Sequence, residues 1–210
     1  MGGIFALKVC VYAICKNESQ FVDRFMDSMS EADYVCVLDT GSSDDTVKKL
    51  RARGAIVGET VVSPWRFDTA RNESLGLIPA DADICCAIDL DEQFHPGWRA
   101  ALERAWQPDT TRARYRYTWS FRPDGSEGMV FWADKIHKNG CYRWASPVHE
   151  TLAYTGEGAE RFVDAAGVQL DHHPDETKSR GQYLPLLELA VREDPQNDRN
   201  CHYLGREYMF

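Results

Sequence analysis

The residues that could do chemistry in this chain gather where apolar runs end. Asp89-Leu90-Asp91-Glu92 leaves the apolar run 84–88. Alternate residues at a strand end share a side, so Asp89 and Asp91 can face one ligand while Leu90 faces a core. Two carboxylates so placed suit a hard divalent cation that also holds phosphate oxygens. Arg71 could pair with phosphate, and His149-Glu150 and Asp171-His172-His173 bring a histidine that could complete a metal shell. The bland reading of the acidic stretch is a solvated turn. Other polar ends are Lys16-Asn17-Glu18, residues 39–44 (DTGSSD) and residues 65–72 (WRFDTARN). Neither G-x-G-x-x-G nor G-x-x-x-x-G-K-[ST] occurs, which excludes a dinucleotide fingerprint and a P-loop.

The elements that must position these residues alternate strand and helix in the first half. Residues 8–15 read as a buried strand, followed by a helix carrying Phe21, Phe25, Met26 and Met29. A second strand at 34–39 leads through Gly41-Ser42-Ser43 into a helix from near Asp44 to Gly54. A third strand at 55–62, a helix at 68–77 stopped by Pro79 and a fourth strand at 83–89 continue the βαβ pattern, which means a largely parallel sheet covered on both faces. In such sheets ligands bind beyond the carboxyl ends of the strands. After a helix at 97–106 the pattern turns antiparallel. Residues 112–121 alternate, with Ala113, Tyr115, Tyr117, Trp119 and Phe121 on one face and Arg112, Arg114 and Arg116 on the other. A turn at Pro123-Asp124-Gly125 then returns a partner strand at 129–135. From Thr177 two short helices are expected.

The 210 residues allow one large domain, or one with a small appendage, at a usual domain length of about 150. With 43% hydrophobic and 27% charged residues the chain is that of a globular protein, and its net charge of −9 argues against a surface built to neutralise nucleic-acid backbones. No apolar window reaches the roughly 18 residues of a membrane span, and Met1-Gly2-Gly3-Ile4 lacks a leader pattern, so a cytoplasmic protein is expected. The 7 cysteines form no C-x-x-C pair, and Cys10, Cys15, Cys36, Cys85 and Cys86 are expected as reduced core residues.

Taken in order, A-I-C-K-N-E (13–18), V-L-D-T-G-S-S-D-D-T (37–46), W-R-F-D-T-A-R-N-E (65–73), A-I-D-L-D-E (87–92), W-A-S-P-V-H-E (144–150) and L-D-H-H-P (170–174) resemble a family 2 glycosyltransferase of the GT-A fold. The resemblance implies an α/β, Rossmann-like mixed sheet flanked by helices, over residues 1–176. The stretch E-D-P-Q-N-D-R-N-C-H-Y-L-G-R-E-Y resembles tetratricopeptide-like tails, implying a C-terminal helical hairpin over 177–210 that packs on the core or pairs two subunits into a homodimer.

Residue by residue, the resemblance implies that Asp39 contacts the base or ribose of a nucleotide sugar, with Asn17 and Glu18 in the same pocket. Arg71 would approach the diphosphate and Asp89 the ribose. Asp91, the second carboxylate of a DXD motif, would hold Mn2+ or Mg2+ with His172, His173 being a rival. Glu150 falls where inverting members place the catalytic base, although here the usual Glu-Asp pair reads His149-Glu150. The implied activity is transfer from a donor such as a UDP-sugar to a saccharide, lipid carrier, peptide or modified nucleobase. A catalytically silent sugar-nucleotide-binding or interaction module is the other reading. The structural alternatives are an ion pair between Glu150 and an arginine such as Arg143, helix caps at Asp44 and Asp45, and packing or surface roles for His95, His137 and His202. The arginines at 112, 114 and 116 would line a solvated sheet face, and Trp65, Phe67 and Trp144 would stack on ligand or fill the core.

Overall fold

The computed structural model describes residues 7–175 and 181–209. Expectations for Met1 to Ile4, for the domain boundary at 176/177 and the first residues of the tail, and for Phe210 lie outside them.

Strand β1 (Val9–Cys15) shows why the sheet forms here: every residue of VCVYAIC is buried, as a central strand covered on both faces requires. Val9, Val11, Ala13 and Cys15 point into one core, Cys10 and Tyr12 into another. Parallel to it lie β2 (Tyr34–Asp39) and β4 (Ile84–Ala87), and β3 (Ile56–Glu59) extends β2. Helices α1 (Val22–Ser28), α2 (Thr46–Ala52) and α3 (Phe67–Leu75) make the crossovers. The βαβ pattern of the sequence is therefore present, with each helix and the third and fourth strands somewhat shorter than their apolar runs.

The second half adds β5 (Glu92–Phe94), α4 (Trp98–Ala105), β6 (Arg112–Thr118), β7 (Val130–Lys138) and β10 (Phe162–His172) to the same sheet, in the order β3-β2-β1-β4-β7-β6-β10-β5. β7 runs antiparallel to β4 and β6, and β5 antiparallel to β10. The described residues thus form the expected mixed α/β sheet flanked by helices. β8 (Tyr142–Ala145) and β9 (Thr151–Tyr154) form a separate two-stranded ribbon, and α5 (Tyr183–Glu193) and α6 (Asp198–Met209) pack together as a hairpin.

Two expectations for β6 change. Arg112 does not face solvent: its side chain is 10% exposed, ion-paired to Asp134 at 3.1 Å and Glu160 at 3.3 Å, and 5.6 Å from the centre of the Tyr142 ring, because the β8–β9 ribbon covers that end of the sheet. Trp119 and Phe121 lie beyond the strand and are partly exposed. Arg114 is exposed as expected. At α2 the Asp44 carboxylate accepts the Thr46 N–H at 3.0 Å, whereas Asp45 makes no side-chain cap. The five strand cysteines are buried and reduced.

His137 belongs to the packing. Its ring, 1% exposed, lies 2.9 Å from the Tyr12 hydroxyl through Nε2 and 3.0 Å from the Lys138 carbonyl through Nδ1. A carbonyl only accepts, so Nδ1 carries the proton, the Tyr12 hydroxyl donates to Nε2, and that hydroxyl in turn accepts from Trp144 Nε1–H at 2.9 Å. The chain is satisfied only with a neutral imidazole, and burial pushes the His137 pKa down to about 4. Between the ordinary value near 6.5 and about 4, the unfolded chain takes up a proton that the folded chain refuses, so stability falls as pH drops through that window and levels off below it. At ~1.4 kcal/mol per unit this loss is about 3 kcal/mol. Chemical unfolding followed from pH 7 to 4 should show this decline, and the decline should be shallower in His137→Gln. An NMR titration of His137 inflecting near 6.5 in the folded protein would contradict it.

Candidate functional site

The polar ends of β1, β2 and β4 lie at one edge of the sheet. Asp39, 2% exposed at the end of β2, is spent on its own loop: Oδ1 accepts the N–H groups of Gly41 at 2.9 Å and Ser42 at 2.8 Å, and Oδ2 accepts the Ser42 hydroxyl. Gly41 reaches that geometry with φ 105°, a conformation glycine adopts without penalty. Asn17, at φ 54°, accepts the Ser43 N–H through Oδ1 at 2.7 Å, and its own N–H goes to Ser42 Oγ. Glu18 is buried, its N–H donated to Thr46 Oγ1 at 2.8 Å. Asp39, Gly41 and Ser42 line, with Glu59, Thr60 and Val61, an open depression of about 390 Å³.

Arg71 is the centre of the second group. Carried on α3 and 4% exposed, it donates through Nη2 to both Asp89 oxygens at 2.9 and 3.1 Å and through Nε to Glu150 Oε1. Its guanidinium carbon lies 5.0 Å from the Trp144 ring centre, which seals it from below. Nη1 is buried and, among the described residues, has no hydrogen-bond partner. Glu150 therefore pairs with Arg71, not with Arg143, which is exposed. Burial opposes ionisation of Asp89, yet Arg71 and then Lys135, with Nζ 3.6 Å from Oδ2, hold its carboxyl well below the usual range. Lys135 itself is raised, burial being outweighed by Glu92 and Asp89.

One turn further, His172 Nε2 faces Asp91 Oδ2 at 3.4 Å while Nδ1 lies 3.1 Å from the Trp119 carbonyl. His173 is not the residue brought to that carboxylate: its ring stacks on Phe121 at 5.2 Å and only its backbone N–H reaches the Asp91 carbonyl. Glu92, 2% exposed, accepts the Asp89 N–H at 2.8 Å and the Tyr117 hydroxyl at 2.6 Å. Burial, with Asp89 and Asp91 nearby, raises its pKa. Among the described residues no three of His, Cys, Asp and Glu are grouped to hold a metal ion. Asp91 and His172 form a two-residue donor set of one carboxylate and one imidazole, which fits a divalent cation that completes its shell with phosphate oxygens and water.

Sequence reasoning missed Lys135 and Glu92. Glu92 stood in the acidic stretch, but only β5 pairing turns it inward. Lys135 reaches Asp89 because β7 docks beside β4, which no periodicity announces. Trp144 proves to be core, and Trp65 and Phe67 pack with Tyr183 and Leu187 of the tail. His95 is half exposed and pairs with Asp171 at 2.8 Å, and His202 is exposed.

No family model matches the chain. Among solved structures, a mycobacterial protein aligns with 86% of this chain and 71% of its own at 15% identity and TM-score 0.55, which shows a shared fold. Glucosyl-3-phosphoglycerate synthase from Mycobacterium tuberculosis, in complex with Mg2+ and UDP, aligns with 53% of this chain at 26% identity and TM-score 0.44. Its complex with Mn2+ and UDP-glucose gives 25% identity over the same 53%, again at TM-score 0.44. The chain covers 44% of that synthase, less than half its length. Among the described residues no helix is long and apolar enough to cross a membrane.

Removing Arg71 would strip Glu150 of its guanidinium partner and leave Asp89 with Lys135 alone, at 3.6 Å. Arg71→Met should lower unfolding free energy by about 3–5 kcal/mol. Arg71→Lys should recover only part of it, because an ammonium cannot serve two carboxylates as a planar fork does. Denaturant unfolding measures both, and a loss below about 1 kcal/mol in the methionine variant would contradict the pairing.

Proposed function

We propose that this chain is a metal-dependent inverting glycosyltransferase of the family 2, GT-A type, taking a sugar from a nucleotide-diphosphate donor such as a UDP-sugar. The observation that carries the reading is the buried Arg71 spanning Asp89 and Glu150, beside the facing pair Asp91 and His172, at the edge of the sheet where ligands bind. The depression beside Asp39 is the place for base and ribose, its wall held by the Asn17 and Asp39 loop bonds. We assign the catalytic core to residues 1–176, the tetratricopeptide-like hairpin to 177–210, and the protein to the cytoplasm.

Asp91 and His172 would hold Mn2+ or Mg2+, which when bound supplies positive charge for the leaving diphosphate. The protein's own share is electrostatic and positional. Arg71 keeps Asp89 ionised and fixes it at the sheet edge through two hydrogen bonds. Lys135 adds a second cation on the same side. The acceptor hydroxyl forms its bond to the anomeric carbon as the bond to the diphosphate breaks, the electron pair leaving with the diphosphate and the configuration inverting. Its proton goes to Glu150, whose Oε1 is fixed by Arg71 while, among the described residues, nothing donates to Oε2.

Asp91→Asn should leave the fold intact and abolish manganese-dependent UDP binding in calorimetry, because an amide is a poorer ligand and carries no charge. Unchanged affinity with unchanged metal dependence would remove Asp91 from the cation site. Glu150→Gln should keep UDP binding but slow sugar transfer, followed by product mass, by about 10²- to 10⁴-fold. Full transfer in that variant would refute the base, and no turnover of any nucleotide sugar by the native chain would favour the silent module.

A further inference from the structure

The segment that delivers Glu150 is held in an unfavourable shape from outside the sheet. Between β8 and β9, Ser146 and His149 adopt left-handed backbone conformations, at φ 78° and 49°. Neither is glycine, and such residues persist only where their surroundings over-determine them. The surroundings here are the C-terminal hairpin. Val148, between the two strained residues, is 1% exposed and packs with Leu186 and Leu187 of α5. His149 stacks on Tyr203 of α6, with ring centres 4.0 Å apart and planes inclined by 19°, and its carbonyl accepts from Arg199 Nη1 at 2.5 Å.

The same hairpin grips the element that delivers Arg71. Arg66, immediately before α3, donates to Glu193 of α5 at 2.5 and 3.1 Å, and Phe67 packs near Tyr183 with ring centres 6.0 Å apart. The two gripped segments are joined to each other as well: the Phe67 N–H goes to the Pro147 carbonyl at 3.0 Å, and Asn72 exchanges two 2.8 Å hydrogen bonds with the Trp144 backbone. The hairpin therefore contacts the segments that carry both partners of the Arg71–Glu150 bond, one to five residues away from the charged groups.

We propose that the hairpin is a brace and that Tyr203 and Arg199 are positioning residues, fixing the His149 backbone so that Glu150 stands against Arg71. The proposal rests on the reading of Glu150 as the base for the acceptor proton, and it makes the tail part of the catalytic geometry as well as a cover for apolar surface. Tyr203 and Arg199 of α6 reach the 146–150 segment directly at His149, so a loosened brace acts first on the placement of Glu150.

The test uses the full chain with Tyr203→Ala, Tyr203→Phe and Arg199→Ala, read by amide hydrogen exchange over residues 148–152 and by steady-state transfer from a UDP-sugar. In Tyr203→Ala exchange in that segment should rise at least tenfold, with β1 and β4 unchanged. Its kcat should fall at least tenfold with KM for the donor within twofold. Arg199→Ala should shift both quantities in the same direction, and Tyr203→Phe, which keeps the stacked ring, should match the native chain. Unchanged exchange and kcat in both alanine variants would overturn the brace, as would a uniform loss of protection throughout the sheet. If the native chain turns over no UDP-sugar, the catalytic reading fails while the exchange measurement still decides whether the hairpin holds the segment.

Discussion

The guanidinium of Arg71, buried between Asp89 and Glu150 and laid over Trp144, is the interaction on which the rest of the site depends. Two carboxylates brought together at a sheet edge repel, and burial penalises each of them. A fixed cation between them turns that liability into an ordered pair, and it does so from α3, whose position β1 and the ribbon strand β8 determine. Lys135 then balances the remaining charge near Asp89, and Asp91 faces His172 at 3.4 Å at the same edge of the sheet.

Assembling this cluster takes segments far apart in the chain: α3 near residue 71, the end of β4 near 89, β7 near 135, the β8–β9 connection at 150 and the end of β10 at 172. The mixed sheet makes the meeting possible. Its parallel half brings the ends of β1, β2 and β4 to one edge, and its antiparallel half returns β7 beside β4. The C-terminal hairpin then closes over the side where α3 and the 146–150 segment meet, through Val148, Leu186 and Leu187.

The parts of the architecture legible in the sequence were those with local signals. VCVYAIC and ICCA are too apolar to be anything but central strands, and Asp39 and Asp89 stand out because each ends an apolar run, with Asp91 two residues beyond Asp89. What was hidden depended on partners. Glu150 invited pairing with nearby Arg143, yet Arg143 sits on the outer face of β8 and the true partner is 79 residues away. Arg112 looked solvated because alternation assumes one open sheet face, and a ribbon of distant sequence covers it. β10, the longest strand, carries FVDAAGVQLDH, in which small and polar residues erase the period of two; its pairing with β6 even shifts register between Asp164 and Gln169.

The central claim is that Asp91 and His172 hold the cation of a diphosphate ligand while Arg71 keeps Asp89 ionised beside it. Anomalous diffraction at the manganese edge, on crystals of the native chain grown with Mn2+ and UDP, tests it directly. The account predicts one strong peak within coordinating distance of Asp91 Oδ2 and His172 Nε2, with a UDP phosphate oxygen completing the shell and the Arg71–Asp89 pair intact. A peak elsewhere, or UDP bound with no metal between it and Asp91, would contradict it.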